Sequence, residues 1–506
     1  MTDSRTAVRL EAHAPSWSNR ILVAGVVGIF FLTLYPFRFA LVRHGPPFLL
    51  AGWGKNAGPL DVVLNVLLFA PYGFGLAESF RERGKPRAAV FGITLLAGAL
   101  LSYSVELLQF YIPIRDSGWG DVFTNSAGSV LGFLVYEVGG SAILGLASRV
   151  ESVLVTWLNC RRLIVVLLFY VGVWLAASIP LQRQARITDW FPNPILLIGS
   201  SAAENPASAW NGRVFEVEFW SRALPDRVAR AITAGRAEDV PAPLASYNLS
   251  GPPPFQDQRH VLPDLAWEHN ASAPPFFSPD WLISSAPVSP LVNNVERTNR
   301  FALHVLCEPG SIVVRNRRII VIAQLPGSLD LELRQEGAIL SFWFRNPLSV
   351  KRPHLAWDVP NVFAPGQPRN LLLSYDGSRL ALYVDGKEEG RPYQLDPGAG
   401  LALHVRRIKS GELDGYHDIF YAMVFFPVGC LLGLAWRKLA SQAGLRLAVI
   451  FLGALIVPIL FEISLAFAGS ASVWLGNIIL SMFLVLASAF WINADNQGPE
   501  GRSSQA

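Results

Sequence analysis

Two short stretches carry one pattern, Asp61-Val-Val-Leu-Asn65 and Asp121-Val-Phe-Thr-Asn125. Each opens an apolar helix just after a loop, and each sets an Asp and an Asn one helical turn apart on one face. The apolar segment between them ends Ser104-Val-Glu106-Leu-Leu-Gln109, a carboxylate and an amide at i, i+3, with Arg115 and Asp116 following. Ionised groups in such segments cost roughly 2.5–3.5 kcal/mol each at mid-bilayer on insertion scales, so they mark a working site or a buried structural network. Asp61, Glu106, Asp121 and Arg115 together can engage a cationic or phosphate-bearing headgroup, a divalent ion, or one another. The planar fork of Arg115 suits phosphate or carboxylate. Carboxylates brought close would share a proton, as a general acid or relay requires. On the structural reading, Asp61 and Asp121 are N-caps, Asn65 and Asn125 bond between helices, and Glu106 pairs with Arg115.

The elements that must position these groups are membrane spans. Of 506 residues, 51% are hydrophobic and only 16% charged, too apolar for a wholly soluble protein and too interrupted for one lying entirely in the membrane. Apolar runs of spanning length fall at Ile21–Val42, Leu60–Phe80, Ala88–Ile112, Asp121–Leu146 and Leu163–Ile179, then at Tyr416–Trp436, Leu445–Phe467 and Val473–Ile492. That makes about eight. The first is too long for a signal-peptide core and lacks a cleavage site, so it reads as an uncleaved span. Arg81, Arg83, Lys85 and Arg87 follow span two; Arg149, Arg161 and Arg162 follow span four; Arg437, Lys438 and Arg446 follow span six. The alternate loops are poor in basic residues. The positive-inside rule then sets both termini in the cytoplasm, residues 1–20 and 493–506 as polar tails. The polar cluster and everything from about Leu181 to Gly415 fall outside. A net charge of +4, scattered over loops, argues against a nucleic-acid partner.

The central region is rich in Pro, Trp and Asn and has short alternating runs. Asn370-Leu-Leu-Leu-Ser-Tyr-Asp-Gly-Ser-Arg-Leu-Ala-Leu-Tyr-Val-Asp-Gly386 reads strand, Asp-Gly turn, strand, Asp-Gly turn. Leu331 to Phe344 is a second ladder about a glycine, and Arg213 to Trp220 a third. The predicted fold is therefore multi-domain: a polytopic α-helical membrane part and an all-β jelly-roll sandwich over 193–408. Asp376 and Asp385 read as turn residues before calcium ligands. Trp210, Trp220, Trp343 and Trp357 are candidates for stacking on sugar rings, with the sandwich core as the commoner alternative.

Cys160, Cys307 and Cys430 fall in three separate regions, which excludes a disulfide framework and zinc spacing. Cys307 reads as a buried small apolar residue. His44 and His417 have no partner at metal spacing and read as interfacial. Pro71 is expected to kink span two, and Gly128 with Gly132 to pack helices closely. No phosphate-binding loop, nucleophile elbow or zinc-protease motif occurs. No cofactor is evident, and calcium in the sandwich stays open.

Asn65-Val-Leu-Leu-Phe-Ala-Pro71-Tyr-Gly73, Ser104-Val-Glu106-Leu-Leu-Gln109, Arg115 and Gly120-Asp121-Val-Phe-Thr-Asn125-Ser-Ala-Gly128 resemble the VanZ-like family. The resemblance spans Ile21 to Tyr136 and implies a membrane domain over 21–180, in the bacterial cytoplasmic membrane. It brings no established reaction. The Asp-Gly hairpins, and Trp210-Asn-Gly-Arg-Val-Phe-Glu-Val-Glu-Phe-Trp-Ser-Arg-Ala-Leu224, resemble laminin-G-like and concanavalin-A-like jelly rolls, which often bind glycans and sometimes calcium. Asp418 through Pro427 and Gly429 echoes Asp61 through Pro71 and Gly73 with one residue fewer, while Glu462 echoes Glu106 and Asn477 echoes Asn125. The segment 416–492 is thus a candidate degenerate second half, with chance likeness among apolar segments as the alternative. Two functions follow. One is handling of an envelope lipid or lipid-linked glycan at the outer leaflet, in a cell-envelope or exopolysaccharide process or in glycopeptide resistance. The other is a membrane-anchored receptor or assembly scaffold for polysaccharide or protein. No nucleophile–base pair is visible, so catalysis stays open.

Overall fold

The structure is a computed structural model that describes residues 17–34, 59–111, 118–157, 159–199, 210–236, 240–269, 280–313, 315–325, 328–350, 356–405, 413–439 and 443–493. Apolar helices stand at both ends of this chain. They are α1 (Trp17–Leu34), α2 (Pro59–Glu82), α3 (Arg87–Gln109), α4 (Trp119–Trp157) and α5 (Cys160–Arg183) before the strands, and α10 (Leu413–Lys438), α11 (Ala443–Gly469) and α12 (Leu475–Asn493) after them. Seven are long and apolar enough to cross a membrane; the described part of α1 is shorter, its apolar stretch covering Asn19–Leu34. α4 runs past the expected end of its span, and the sequence after Leu146 has no Gly or Pro to stop it.

Close approach of α2 to α4 depends on glycine. A Cβ at Gly73 would overlap the Ser129 carbonyl oxygen, and one at Gly132 the Ala70 carbonyl oxygen. Gly128 meets Val66 and Phe69 in the same way. Without a hydrophobic drive between helices in lipid, such small residues permit the backbone contact that replaces it. Ile29, Phe69, Tyr72 and Val105 fill the space between α1, α2 and α3.

The strands form two antiparallel sheets. β1 (Ile195–Ile198), β4 (Leu265–His269), β5 (Asp280–Ser284), β7 (Arg317–Gln324), β8 (Ser328–Glu336), β9 (Ile339–Phe344) and β10 (Trp357–Val359) make one, in the order β10-β9-β8-β7-β1-β5-β4. β2 (Gly212–Trp220), β3 (Ala245–Asn248), β6 (Phe301–Pro309), β11 (Arg369–Tyr375), β12 (Arg379–Val384) and β13 (Lys387–Gln394) make the other, in the order β13-β12-β11-β6-β2-β3. Inward residues of both sheets share one core, in which Phe301, Phe342, Phe344 and Tyr375 pack edge and face. The helix α6 (Asp226–Thr233) covers the outer face of the second sheet through Ala229 and Ile232. The short helices α7 (Ser289–Thr298), α8 (Pro347–Val350) and α9 (Pro397–Val405) complete the elements.

The expected hairpins are present, and their Asp residues do turn chemistry. Asp376 Oδ1 accepts the Ser378 and Arg379 N–H groups, and Gly377 takes φ +101°. Asp385 accepts the Asn370 N–H and pairs with Arg369 at 2.7 Å. Cys307 is fully buried, and burial pushes its thiol up to about 12, which makes it inert at neutral pH.

Asn299, in the left-handed region at φ +53°, joins three segments. Its Oδ1 accepts the Ile187 N–H at 2.8 Å, and its Nδ2 donates to the Gly469 carbonyl at 2.6 Å and the Gly377 carbonyl at 3.4 Å. Asn299→Ala is expected to cost about 3 kcal/mol, since each net hydrogen bond contributes roughly 1 kcal/mol. Thermal unfolding of the detergent-purified protein checks this.

Three acids gather where the chain enters the sandwich. Burial pushes the Asp330 carboxyl up to about 7, against the Phe191 N–H it accepts and the nearby Arg345, and with Asp189 and Glu296 adding repulsion. Burial also raises Asp189 and Glu296. A carboxyl raised on folding contributes stability at low pH that is lost as pH rises through its folded value. The sandwich is therefore expected to melt at lower temperature as pH goes from about 5 to about 8. Asp330→Asn, which keeps an acceptor for Phe191, should flatten part of that slope in a pH series of melting curves.

Candidate functional site

The polar residues of α2, α3 and α4 gather where α3 ends and α4 begins. Asp121 lies in the first turn of α4, two residues inside its start, so it is a first-turn residue and not the N-cap. Its Oδ1 accepts the Asn65 amide at 2.8 Å, which joins α2 to α4, and Asn65 also reaches the Thr124 hydroxyl at 3.4 Å. Glu106 is 1% exposed, and its Oε2 accepts the Gly118 N–H at 3.0 Å. One carboxylate thereby closes the connection between α3 and α4. Gln109 donates to the Thr33 carbonyl at 2.9 Å and ties α3 to α1. Asn125 donates to the Ser102 hydroxyl at 2.9 Å, while its Oδ1 is buried and takes no hydrogen bond among the described residues.

Asn65, Asp121, Glu106, Gln109 and Asn125 thus share one end of the helix group. Arg115 lies outside the described residues, as does the side chain of Asp61. Ser102 and Thr124 join the site without having been anticipated. Their hydroxyls looked like ordinary helix residues, and only the approach of the neighbouring helix gives them partners.

A second buried polar group lies on α10, α11 and α12. The Tyr421 hydroxyl donates to Glu462 Oε2 at 2.8 Å and accepts from Asn477 Nδ2 at 2.9 Å. Asn477 also donates to Glu462 Oε1 at 3.0 Å, and the Trp474 N–H reaches that oxygen at 3.4 Å. His417 is buried and bonds through Nδ1 to Asp396, whose other oxygen accepts the Ala399 N–H at the start of α9. This corrects the expectation of a lone interfacial His417: a short α9 brings the acid to it from outside the helix. His44 lies outside the described residues.

The two groups share a bonding plan. In each, a buried Glu accepts a backbone N–H from twelve residues further on, Gly118 in one and Trp474 in the other. In each, the helix-start residue at a matching distance from that Glu bonds across to the proline-bearing helix: Asp121 to Asn65, Asn477 to Tyr421. Counting back from Pro71 and Pro427 puts Asn65 level with Tyr421, and Asp61 level with His417. Matching Asp418 to Asp61 one residue short missed this register, and so missed Tyr421.

Three of the four tryptophans proposed for sugar stacking are buried. Trp210 is in the core, with its Nε1 donating to Gln335 at 2.6 Å. Trp220 is 1% exposed beneath α6, with Nε1 on the Pro241 carbonyl, and Trp357 packs on Tyr393. Trp343 is half-buried, with its indole N–H itself buried. Trp210, Trp220 and Trp357 are thus held in apolar packing, where a large aromatic adds most to stability, whereas Trp343 alternates with Phe342 and Phe344 and lies on the opposite face of its sheet from that core. The exposed polar groove of the sandwich lies elsewhere, lined by Asn361, Arg369, Asp385, Lys387 and Glu389. Among the described residues, no cluster of His, Cys, Asp and Glu has the make-up of a metal site.

Apolar helices of spanning length around a polar cluster, with a two-sheet sandwich between them in the chain, define a multi-pass membrane protein with a β-sandwich domain. Residues 12–140 match the VanZ/LLP1 family, and that stretch holds the whole of the first cluster. A segment of 89 residues is 33% identical to a glutamyl-tRNA(Gln) amidotransferase subunit from Agrobacterium fabrum, covering 16% of this chain and 18% of that relative. The chain therefore spans less than a fifth of that relative's length. No solved structure matches significantly.

Glu106→Ala removes the acceptor for the buried Gly118 N–H and is expected to destabilise the protein by about 1–3 kcal/mol. Glu106→Gln keeps an acceptor oxygen and should accumulate normally. Membrane-fraction yield and detergent melting of the two variants test the difference.

Proposed function

We propose that the protein acts at the outer face of the cytoplasmic membrane on an envelope lipid or lipid-linked glycan, through the cluster of Asn65, Glu106, Asp121 and Asn125. The observation that carries this reading is the gathering of Asn65, Glu106, Asp121 and Asn125 at one end of the helices, with Asn125 Oδ1 buried and without a partner among the described residues, a state that Asn477 Oδ1 of the second group shares. Unpaired buried polar atoms are uncommon, and a site meant to receive a ligand is one reason to keep one. The match of residues 12–140 to VanZ/LLP1 supports the same assignment. Asp61 and Arg115 belong to this proposal by sequence: Arg115 for a phosphate or carboxylate, Asp61 for a cationic group. Both termini lie in the cytoplasm and the sandwich outside. Arg81 and Arg87, both paired with Glu137, mark the cytoplasmic end of α2–α4.

The sandwich, which resembles laminin-G-like jelly rolls, serves as the outer module over 193–408. Any glycan contact rests on the groove at Asn361 and Arg369 in place of the buried tryptophans. The helices α10–α12 form a second half on the plan of α2–α4, in which Tyr421, Glu462 and Asn477 bond to one another while Asn477 Oδ1 stays without a partner among the described residues. One observation favours the alternative of an anchored receptor or scaffold. Asp396, at the end of the sandwich, is bonded to His417 of α10, so sandwich and helix are made to move together.

Mass spectrometry of polyprenyl-linked and glycolipid intermediates separates the two. Cells with the intact protein, Asp121→Asn or no protein are compared. Lipid handling predicts that the Asp121→Asn profile matches the null strain at normal protein level. Identical profiles throughout, with the variant stably made, reject it in favour of the receptor.

A further inference from the structure

The end of α5, the end of α11 and the start of α12 meet the base of the sandwich at a groove of about 800 Å³. Arg183, Arg186 and Arg300 line one side of it. No acidic side chain lines it, and none of the three arginines forms an ion pair among the described residues. Arg186 carries a buried Nε with no hydrogen-bond acceptor. Leaving a desolvated guanidinium nitrogen unpaired is expensive unless an anion completes it.

The other side is apolar and open. Ile463, Phe467 and Val473 line it, with Phe467 89% exposed on the lipid-facing run of α11. Trp474, partly exposed at the start of α12, stands where aromatic residues mark the boundary between hydrocarbon and headgroups. Guanidinium groups above this boundary and bare hydrocarbon-facing side chains below it match the two ends of one amphiphile. Planar guanidinium forks bind phosphate oxygens in pairs, and the groove volume is that of a ligand pocket.

We propose that this groove is a binding site for a membrane lipid whose phosphate headgroup carries a net negative charge, the headgroup held by Arg183, Arg186 and Arg300 and the chain laid along Ile463, Phe467 and Val473. The site shares no residue with the Glu106–Asp121 cluster and does not depend on that cluster's function. A lipid held here bridges the base of the sandwich and the helix ends.

The test is lipid retention by the full-length protein, purified in detergent and read by native mass spectrometry after exposure to phosphatidylglycerol, a polyprenyl phosphate, phosphatidylcholine or inorganic phosphate. Retention of the two anionic phospholipids above phosphatidylcholine is expected, with the stronger of the two naming the lipid class. Arg186→Gln/Arg300→Gln should lower retention roughly tenfold or more while the protein stays monodisperse. Equal retention of anionic and zwitterionic lipid by the intact protein overturns the proposal even where the double variant fails to fold. Displacement of bound lipid by millimolar inorganic phosphate also overturns it, since a headgroup site anchored by a chain should hold against the free ion. Because binding is read on purified protein, the outcome is separate from whether cells lacking the protein change their lipid intermediates.

Discussion

A carboxylate drawn into a bundle of apolar helices must find its hydrogen-bond donors within the bundle, because the hydrocarbon around it offers none. Here backbone amides supply them. Glu106 takes the Gly118 N–H, and in doing so fixes where α4 starts relative to the end of α3. The first turn of α4 then faces α2, which brings Asp121 to Asn65. That meeting also needs backbones in near contact, which Gly73, Gly128 and Gly132 permit. Polar cluster and glycine seam are therefore one design: the seam sets the distance, and the carboxylate sets the register.

The same device recurs with different occupants on α10–α12. Glu462 again takes an amide from the next helix start, but Asn477 and Tyr421 stand where Asp121 and Asn65 stand in the first group. The amide and the phenol both bond to the Glu and to each other, although Asn477 Oδ1 finds no partner among the described residues. Asp121 on the first side puts a carboxyl group at that place. The frame is shared, and only the first group falls within residues 12–140 that match VanZ/LLP1.

Much of the architecture was legible because its signals are local. Apolar runs gave the helices, and Asp376-Gly377 and Asp385-Gly386 gave the hairpins through the backbone angles they favour. The pairing of Asp with Asn one turn apart pointed to Asn65, Asp121 and Asn125, which lie at one end of the helices. What stayed hidden was set by distance in the chain. Trp210 and Trp357 look alike as core or ligand residues until the second sheet is laid over them. Tyr421 has no signal of its own in the sequence, and gains its partners only when Glu462 and Asn477 arrive from two other helices. Arg183 and Arg300 are unremarkable basic residues more than a hundred positions apart, and only the fold makes them neighbours.

Asn299 has a mechanical consequence. Through one side chain it holds the segment that continues α5, the end of α11 and the Gly377 turn of the sandwich. A domain on a flexible tether absorbs a pull by swinging, and little of the force reaches its anchor. A domain pinned at one shared node behaves as a lever: a load applied to its far edge is delivered as torque to the helix ends. Tension on the sandwich would in that case pass to α5 and α11 directly.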